Sequence, residues 1–124
     1  MQQRSSQKIT VYVKPTCLTC QQATDYLTMM KAEYETKDIM TDPPSKDLLR
    51  AAMDPNKMYL YLNPHAPLYR KMNMRTKIPS KSDAIKLMLK DPNLIKRPVI
   101  VKGEYVLFGF DAGELKQLMA LRLR

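Results

Sequence analysis

From Ile9 to Val13 aliphatic side chains at 9, 11 and 13 alternate with Thr10 and Tyr12. That period of two predicts a strand with one aliphatic face turned to a helical layer. Pro15 ends the strand, and Thr16 is the expected N-cap of a helix. Ala23, Tyr26, Leu27 and Met30 then recur at helical spacing, giving one apolar stripe on a helix ending near Lys31. Tyr34 to Ile39 predicts a second strand, so the opening unit is β-α-β, a parallel pair with a right-handed crossover. Residues 1–7 are polar and expected to form a loose tail.

The period then changes. Thr41-Asp42-Pro43-Pro44 breaks the chain, and Ser45 caps a helix with Leu48, Leu49, Ala52 and Met53 inward. Asp54-Pro55-Asn56 stops it. Pro64 and Pro67 among mixed polarity predict only short helical turns over residues 57–79. Ser80-Lys81-Ser82-Asp83 caps a further helix carrying Ile85, Met88 and Leu89, ended by Asp91-Pro92-Asn93. After Arg97-Pro98, Val99 to Val101 reads as a third strand. Gly103-Glu104 fits a two-residue hairpin turn with glycine first, and Tyr105 to Phe108 is the antiparallel fourth strand. Ala112, Leu115, Leu118 and Met119 give the last helix its buried face.

The chemistry lies where the first strand meets the first helix. Cys17 and Cys20 are the only cysteines, and a strand feeding a C-x-x-C at a helix start is the pattern of a thioredoxin-like redox site. Free N–H groups at the helix start favour the thiolate, so Cys17 is expected to be the nucleophile and Cys20 the resolving thiol. Lys14 would add positive charge, or else be an ordinary exposed lysine. Two inert buried cysteines remain the alternative. A structural zinc site wants four ligands, and two cysteines with the single His65 fall short, so no metal is expected. The order β-α-β, helical stretch, β-β-α completes the picture. It predicts an α/β chain of thioredoxin-like fold: a mixed four-stranded sheet, an all-helical insertion at about 42–94, and a single domain over 1–124. In such folds a cis-proline opens the third strand and faces the dithiol. Pro98 takes that place, with Arg97 beside the thiolate; a trans proline next to an exposed arginine is the alternative.

Charge adds a question. The net charge is +9, with residues 1–64 nearly balanced and residues 65–124 carrying thirteen Lys/Arg against five Asp/Glu. Either a solvated basic surface or an anionic partner accounts for this. No arginine-rich run or strip of interleaved aromatics supports direct nucleic-acid binding. No apolar run approaches the roughly 20 residues that cross a bilayer. MQQRSSQK has no signal-like apolar core, so the expected compartment is the cytoplasm, where paired thiols are more often catalytic than structural.

The segments ITVYVKPTCLTCQQATDYL, LYLNPHAPLYRKM and LIKRPVIVKGEYVLFGFDAGELKQL resemble the arsenate reductase ArsC/Spx family. The C-x-x-C and the pair Gly109-Phe110 are most similar to its Spx-type and reductase-like branches. The resemblance implies an active Cys17 and a cycle without bound cofactor, reset by glutathione, glutaredoxin or thioredoxin. Arsenate-reducing members place three arginines around the oxyanion. Arg97 matches the one before the proline, His65 stands where the insertion arginine would be, with Arg70 a substitute, and Gly109 falls near the last. Lys14, Thr16 and Pro98 complete the implied substrate site. One secure arginine argues against arsenate as the native substrate. The Spx branch implies a different partner, the C-terminal domain of the RNA polymerase α subunit. The glycine that branch uses at this interface has no counterpart in Met53 to Asn63.

Overall fold

The computed structural model describes residues 8–122; the tail expected at residues 1–7 lies outside them. Strand β1 is Ile9–Val13 and helix α1 is Leu18–Met29. Strand β2 is Tyr34–Asp38, β3 is Val99–Lys102 and β4 is Tyr105–Phe108. The sheet order is β2-β1-β3-β4. β1 runs parallel to β2, with Ile9 opposite Tyr34, and antiparallel to β3, with Val11 opposite Ile100. β3 and β4 form a hairpin closed by the pair Lys102 and Tyr105. Gly103 turns that hairpin at φ 60°, a conformation glycine adopts without steric cost. This is the mixed four-stranded sheet that the hydrophobic pattern predicts.

The chain divides into two compact units: residues 8–38 with 97–122, and residues 39–96. The first holds the sheet, α1 and the last helix. Ile9 and Val11 of β1, Ala23 and Leu27 of α1, and Ile100 of β3 form its core with Leu115 and Leu118. The strand's aliphatic alternation and the helix stripe therefore meet, which is why neither element needs strong intrinsic propensity. Met30 departs from the expected stripe and is exposed. It lies beyond the helix, because Lys31 turns to φ 56° and the Ala32 N–H returns to the Leu27 carbonyl at 3.0 Å.

The second unit is helical. Lys46–Ala52, Pro67–Lys71 and Lys81–Lys90 are α2, α3 and α4, with short 3-10 turns at Met58–Leu60, between α2 and α3, and at Pro92–Leu94, after α4. Ser45 and Ser80 cap α2 and α4 as expected, accepting from the Leu48 and Asp83 N–H groups. Leu49, Met53, Ile85 and Met88 are buried, whereas Leu89 is exposed. An isolated antiparallel bridge pairs Leu62, in the middle of this unit, with Ile95 near its C-terminal end. The Asn63 N–H to Leu94 carbonyl bond at 2.8 Å and the Lys96 N–H to Tyr61 carbonyl bond at 2.9 Å flank that bridge.

In the sheet unit, α5 is Ala112–Ala120, capped by Asp111. Leu115 and Leu118 are buried and Met119 is half-buried; Ala112, expected inward, is exposed in the first turn. Its C-terminal carbonyls find an unforeseen partner. Lys102 is buried, and its Nζ donates to the carbonyls of Leu118 at 3.3 Å, Met119 at 2.8 Å and Leu121 at 2.5 Å. A cation at the negative end of a helix is favourable, and here it joins the Leu121 N–H, which bonds the Leu118 carbonyl at 3.1 Å.

Candidate functional site

The turn after β1 delivers the dithiol. The Cys17 N–H bonds the Lys14 carbonyl at 3.0 Å, so Lys14-Pro15-Thr16-Cys17 is one tight turn. Cys17 itself is extended, at φ −95° and ψ 115°, and the Gln21 N–H returns to its carbonyl at 3.1 Å. Cys17, not Thr16, is thus the N-cap: its Sγ accepts the Cys20 N–H at 3.2 Å. Thr16 is exposed and makes no cap. The first turn of α1 holds no acidic residue, so nothing there competes with a thiolate for the helix's positive end.

Thr19, passed over in the sequence, joins the two halves of the site. Its Oγ1 lies 3.2 Å from Cys17 Sγ and donates to the Arg97 carbonyl at 3.2 Å. The Arg97-Pro98 peptide is cis, as the thioredoxin-like pattern predicts, and Pro98 is buried. The opening of β3 therefore stands against the start of α1. The Nε and Nη1 atoms of Arg97 are buried and have no hydrogen-bond partner among the described residues. A shallow cleft of about 210 Å³ opens beside the sulfurs. It is lined by Lys14 and Pro15 from the turn, Gln21 and Thr24 from α1, and Tyr34 and Thr36 from β2, with Cys17 and Cys20.

The two thiols have opposite electrostatics. Burial pushes the Cys17 thiol up, but the Cys20 side chain, the Thr19 hydroxyl, the Cys20 N–H and the Arg97 side chain together hold it below its ordinary value. Cys20 is pushed up to about 12, first by burial, then by its hydrogen bond to Cys17 and the Cys17 charge. The Lys14 backbone and the Arg97 charge oppose this only in part. Cys17 is half-buried and Cys20 is 2% exposed, so only Cys17 faces an incoming molecule.

Of the residues singled out in the sequence, the structure brings Lys14, Cys17, Cys20, Arg97 and Pro98 together. His65 and Arg70 belong to the helical unit. There the His65 N–H bonds the Asn63 side-chain carbonyl at 3.0 Å. Arg70 lines a separate cleft with Pro64, Tyr69, Asn73 and Arg75.

The ArsC family model matches residues 12–118. The global transcriptional regulator Spx of Streptococcus pyogenes serotype M3 is 25% identical over 114 residues, covering 90% of this chain and 85% of Spx. The uncharacterized protein YusI of Bacillus subtilis is 31% identical over 113 residues, covering 88% and 96% respectively. Among solved structures, that of a possible arsenate reductase from Streptococcus mutans UA159 has a TM-score of 0.76 at 28% identity. That similarity covers 87% of this chain and 97% of the other.

Proposed function

The chain belongs to the ArsC family, and from that premise we propose that it is a thiol–disulfide oxidoreductase working through Cys17 and Cys20. One observation carries the reading: adjacent thiols with opposite shifts, the half-buried Cys17 lowered and the buried Cys20 raised to about 12. That asymmetry gives first attack to Cys17, the thiol with the larger thiolate fraction, and leaves Cys20 to resolve.

The Cys17 thiolate attacks one sulfur of an oxidised substrate. A Cys17–substrate disulfide forms, the substrate's own S–S bond breaks, and its other sulfur leaves as a thiolate. Cys20 then loses its proton to solvent and attacks Cys17 Sγ. The mixed disulfide breaks, the substrate sulfur departs reduced, and the Cys17–Cys20 disulfide holds the oxidation; two electrons have passed to the substrate. The high value of Cys20 keeps this order. Two of its causes are the hydrogen bond to Cys17 and the Cys17 charge, and the mixed disulfide removes both. Glutathione, glutaredoxin or thioredoxin returns the two electrons, so no resident cofactor enters the cycle. The unpartnered Nε and Nη1 of Arg97 suit an anionic group on the substrate beside the reacting sulfur.

Turnover of a disulfide, or of arsenate, coupled to a glutathione or thioredoxin reducing system tests the reading. Wild type is expected to turn over and Cys17→Ser to be inactive. Equal rates would remove the oxidoreductase reading.

The similarity to Spx supports a second reading, a redox-sensing regulator that binds the C-terminal domain of the RNA polymerase α subunit. Pull-down with that domain in oxidising and reducing buffer separates the two. Retention in one state alone supports the regulator, and no retention in either removes it. Both readings place the protein in the cytoplasm. Among the described residues no helix is long and apolar enough to cross a membrane.

A further inference from the structure

Thr19 has one hydroxyl hydrogen and two acceptors for it. It donates that hydrogen to the Arg97 carbonyl at 3.2 Å, while Cys17 Sγ lies 3.2 Å away on the same oxygen. A hydroxyl is one donor with two acceptor lone pairs. While Cys17 is a thiol, its S–H can donate to Thr19 and both contacts are satisfied in a chain: Cys17 to Thr19 to Arg97. When Cys17 loses its proton to solvent, that arrangement fails, because the sulfur has nothing left to donate. It is restored only if the hydroxyl rotates and donates to the sulfur, and the Arg97 carbonyl then loses its donor.

We infer that Thr19 is a positioning residue for the redox reaction, a rotor whose hydrogen moves from the Arg97 carbonyl to Cys17 Sγ as the thiolate forms. Thr19 keeps its own hydrogen throughout; only the direction of the hydrogen bond changes. Two consequences follow. A hydrogen bond to a charged acceptor is stronger than one to a neutral carbonyl, so the rotation holds Cys17 in its nucleophilic form. The carbonyl before cis-Pro98 becomes an available acceptor at that moment, beside the reactive sulfur, where the N–H of an extended substrate chain can take the hydroxyl's place. Linkage requires the converse: a chain that donates to Arg97 leaves the hydroxyl for Cys17 and favours the thiolate.

The charged and titratable groups around Cys17 come from four elements. They are Lys14 in the turn after β1, Cys20 on α1, Tyr34 on β2 and Arg97 before β3. None of them is removed by a change at Thr19, and Tyr34 has its own partner in Thr28 Oγ1 at 2.7 Å. An effect of Thr19 substitution on Cys17 therefore reports the hydroxyl. Thr19 is exposed, in the first turn of α1, so its side chain supports no core packing.

The inference rests on the redox reading of Cys17, and the test separates the two. In the reduced protein, NMR follows Cys17 Cβ and the Arg97 carbonyl carbon against pH in wild type, Thr19→Val and Thr19→Ser. Wild type is expected to show a step in the Arg97 carbonyl shift at the same midpoint as Cys17. In Thr19→Val the Cys17 midpoint should rise by about one pH unit, the order expected for one hydrogen bond to a charged group, and the carbonyl step should vanish. Thr19→Ser, which keeps the hydroxyl, should restore both. A low wild-type midpoint unmoved by Thr19→Val, or a carbonyl step that survives it, overturns the rotor alone. A wild-type Cys17 that titrates at or above the ordinary thiol range overturns the redox reading and the rotor with it.

Discussion

At the scale of single residues, the site is made by a cap. Cys17 takes the extended N-cap conformation and offers sulfur to the Cys20 N–H, so the group that starts the helix is also the group that reacts. The sequence pointed to Thr16 because hydroxyls are the usual caps. The tight turn over Lys14 to Cys17 moves the helix start one residue on. Arg97 acts differently. It lowers the Cys17 value and brings two buried nitrogens without hydrogen-bond partners among the described residues. Arg97→Gln should therefore slow Cys17 alkylation at neutral pH, roughly tenfold for each unit by which the midpoint rises. Its melting temperature should hold or increase, since buried unpaired donors cost stability. A stopped-flow alkylation series with a thermal melt checks both. The alternation around Val99 to Lys102 gave no hint of Lys102's role, because the carbonyls it serves lie 16 to 19 residues further along the chain.

At the scale of elements, helix ends decide more than helix middles. α5 is held at its C-terminus by Lys102 and at its N-terminus by Asp111, whose side chain accepts the Glu114 N–H at 2.9 Å. Lys102→Met would fill the same space but take the ammonium away from the carbonyls of Leu118, Met119 and Leu121. It should cost about 2 kcal/mol in urea unfolding, the range for buried polar groups that lose their partner. Leu27→Ala, at the centre of the contact between α1 and the sheet, should cost about 3 kcal/mol through lost burial and the cavity left behind. In the helical unit, Ser80→Ala removes one cap and should cost about 1 kcal/mol. It should leave the Cys17 midpoint unchanged, since Cys20, Thr19 and Arg97, which set that midpoint, all lie in the sheet unit.

At the scale of the whole molecule, the sheet unit draws its site from two stretches far apart in sequence, the start of α1 and the opening of β3. Their meeting was legible because strand, turn and helix signals around Cys17 and Cys20 all agreed, and because Arg97-Pro98 precedes an apolar strand. Thr19 was not legible. Its partner is a backbone carbonyl 78 residues away, and a threonine in a helix's first turn carries no distinguishing pattern. The exposure of Met30, Leu89 and Ala112 shows where periodicity overreaches: Met30 lies past the end of α1, while Leu89 and Ala112 sit in the last and first turns of their helices. The central claim is that one thiol is activated and its neighbour suppressed. Alkylation of the reduced protein across pH, with each site quantified by mass spectrometry, tests it most directly. Because the lowered Cys17 is already thiolate below the ordinary thiol range, it should be modified there alone. Its rate should fall as pH drops through its own value, and Cys20 should stay intact until the pH nears 12. Equal modification of both cysteines, or of Cys20 first, would contradict it.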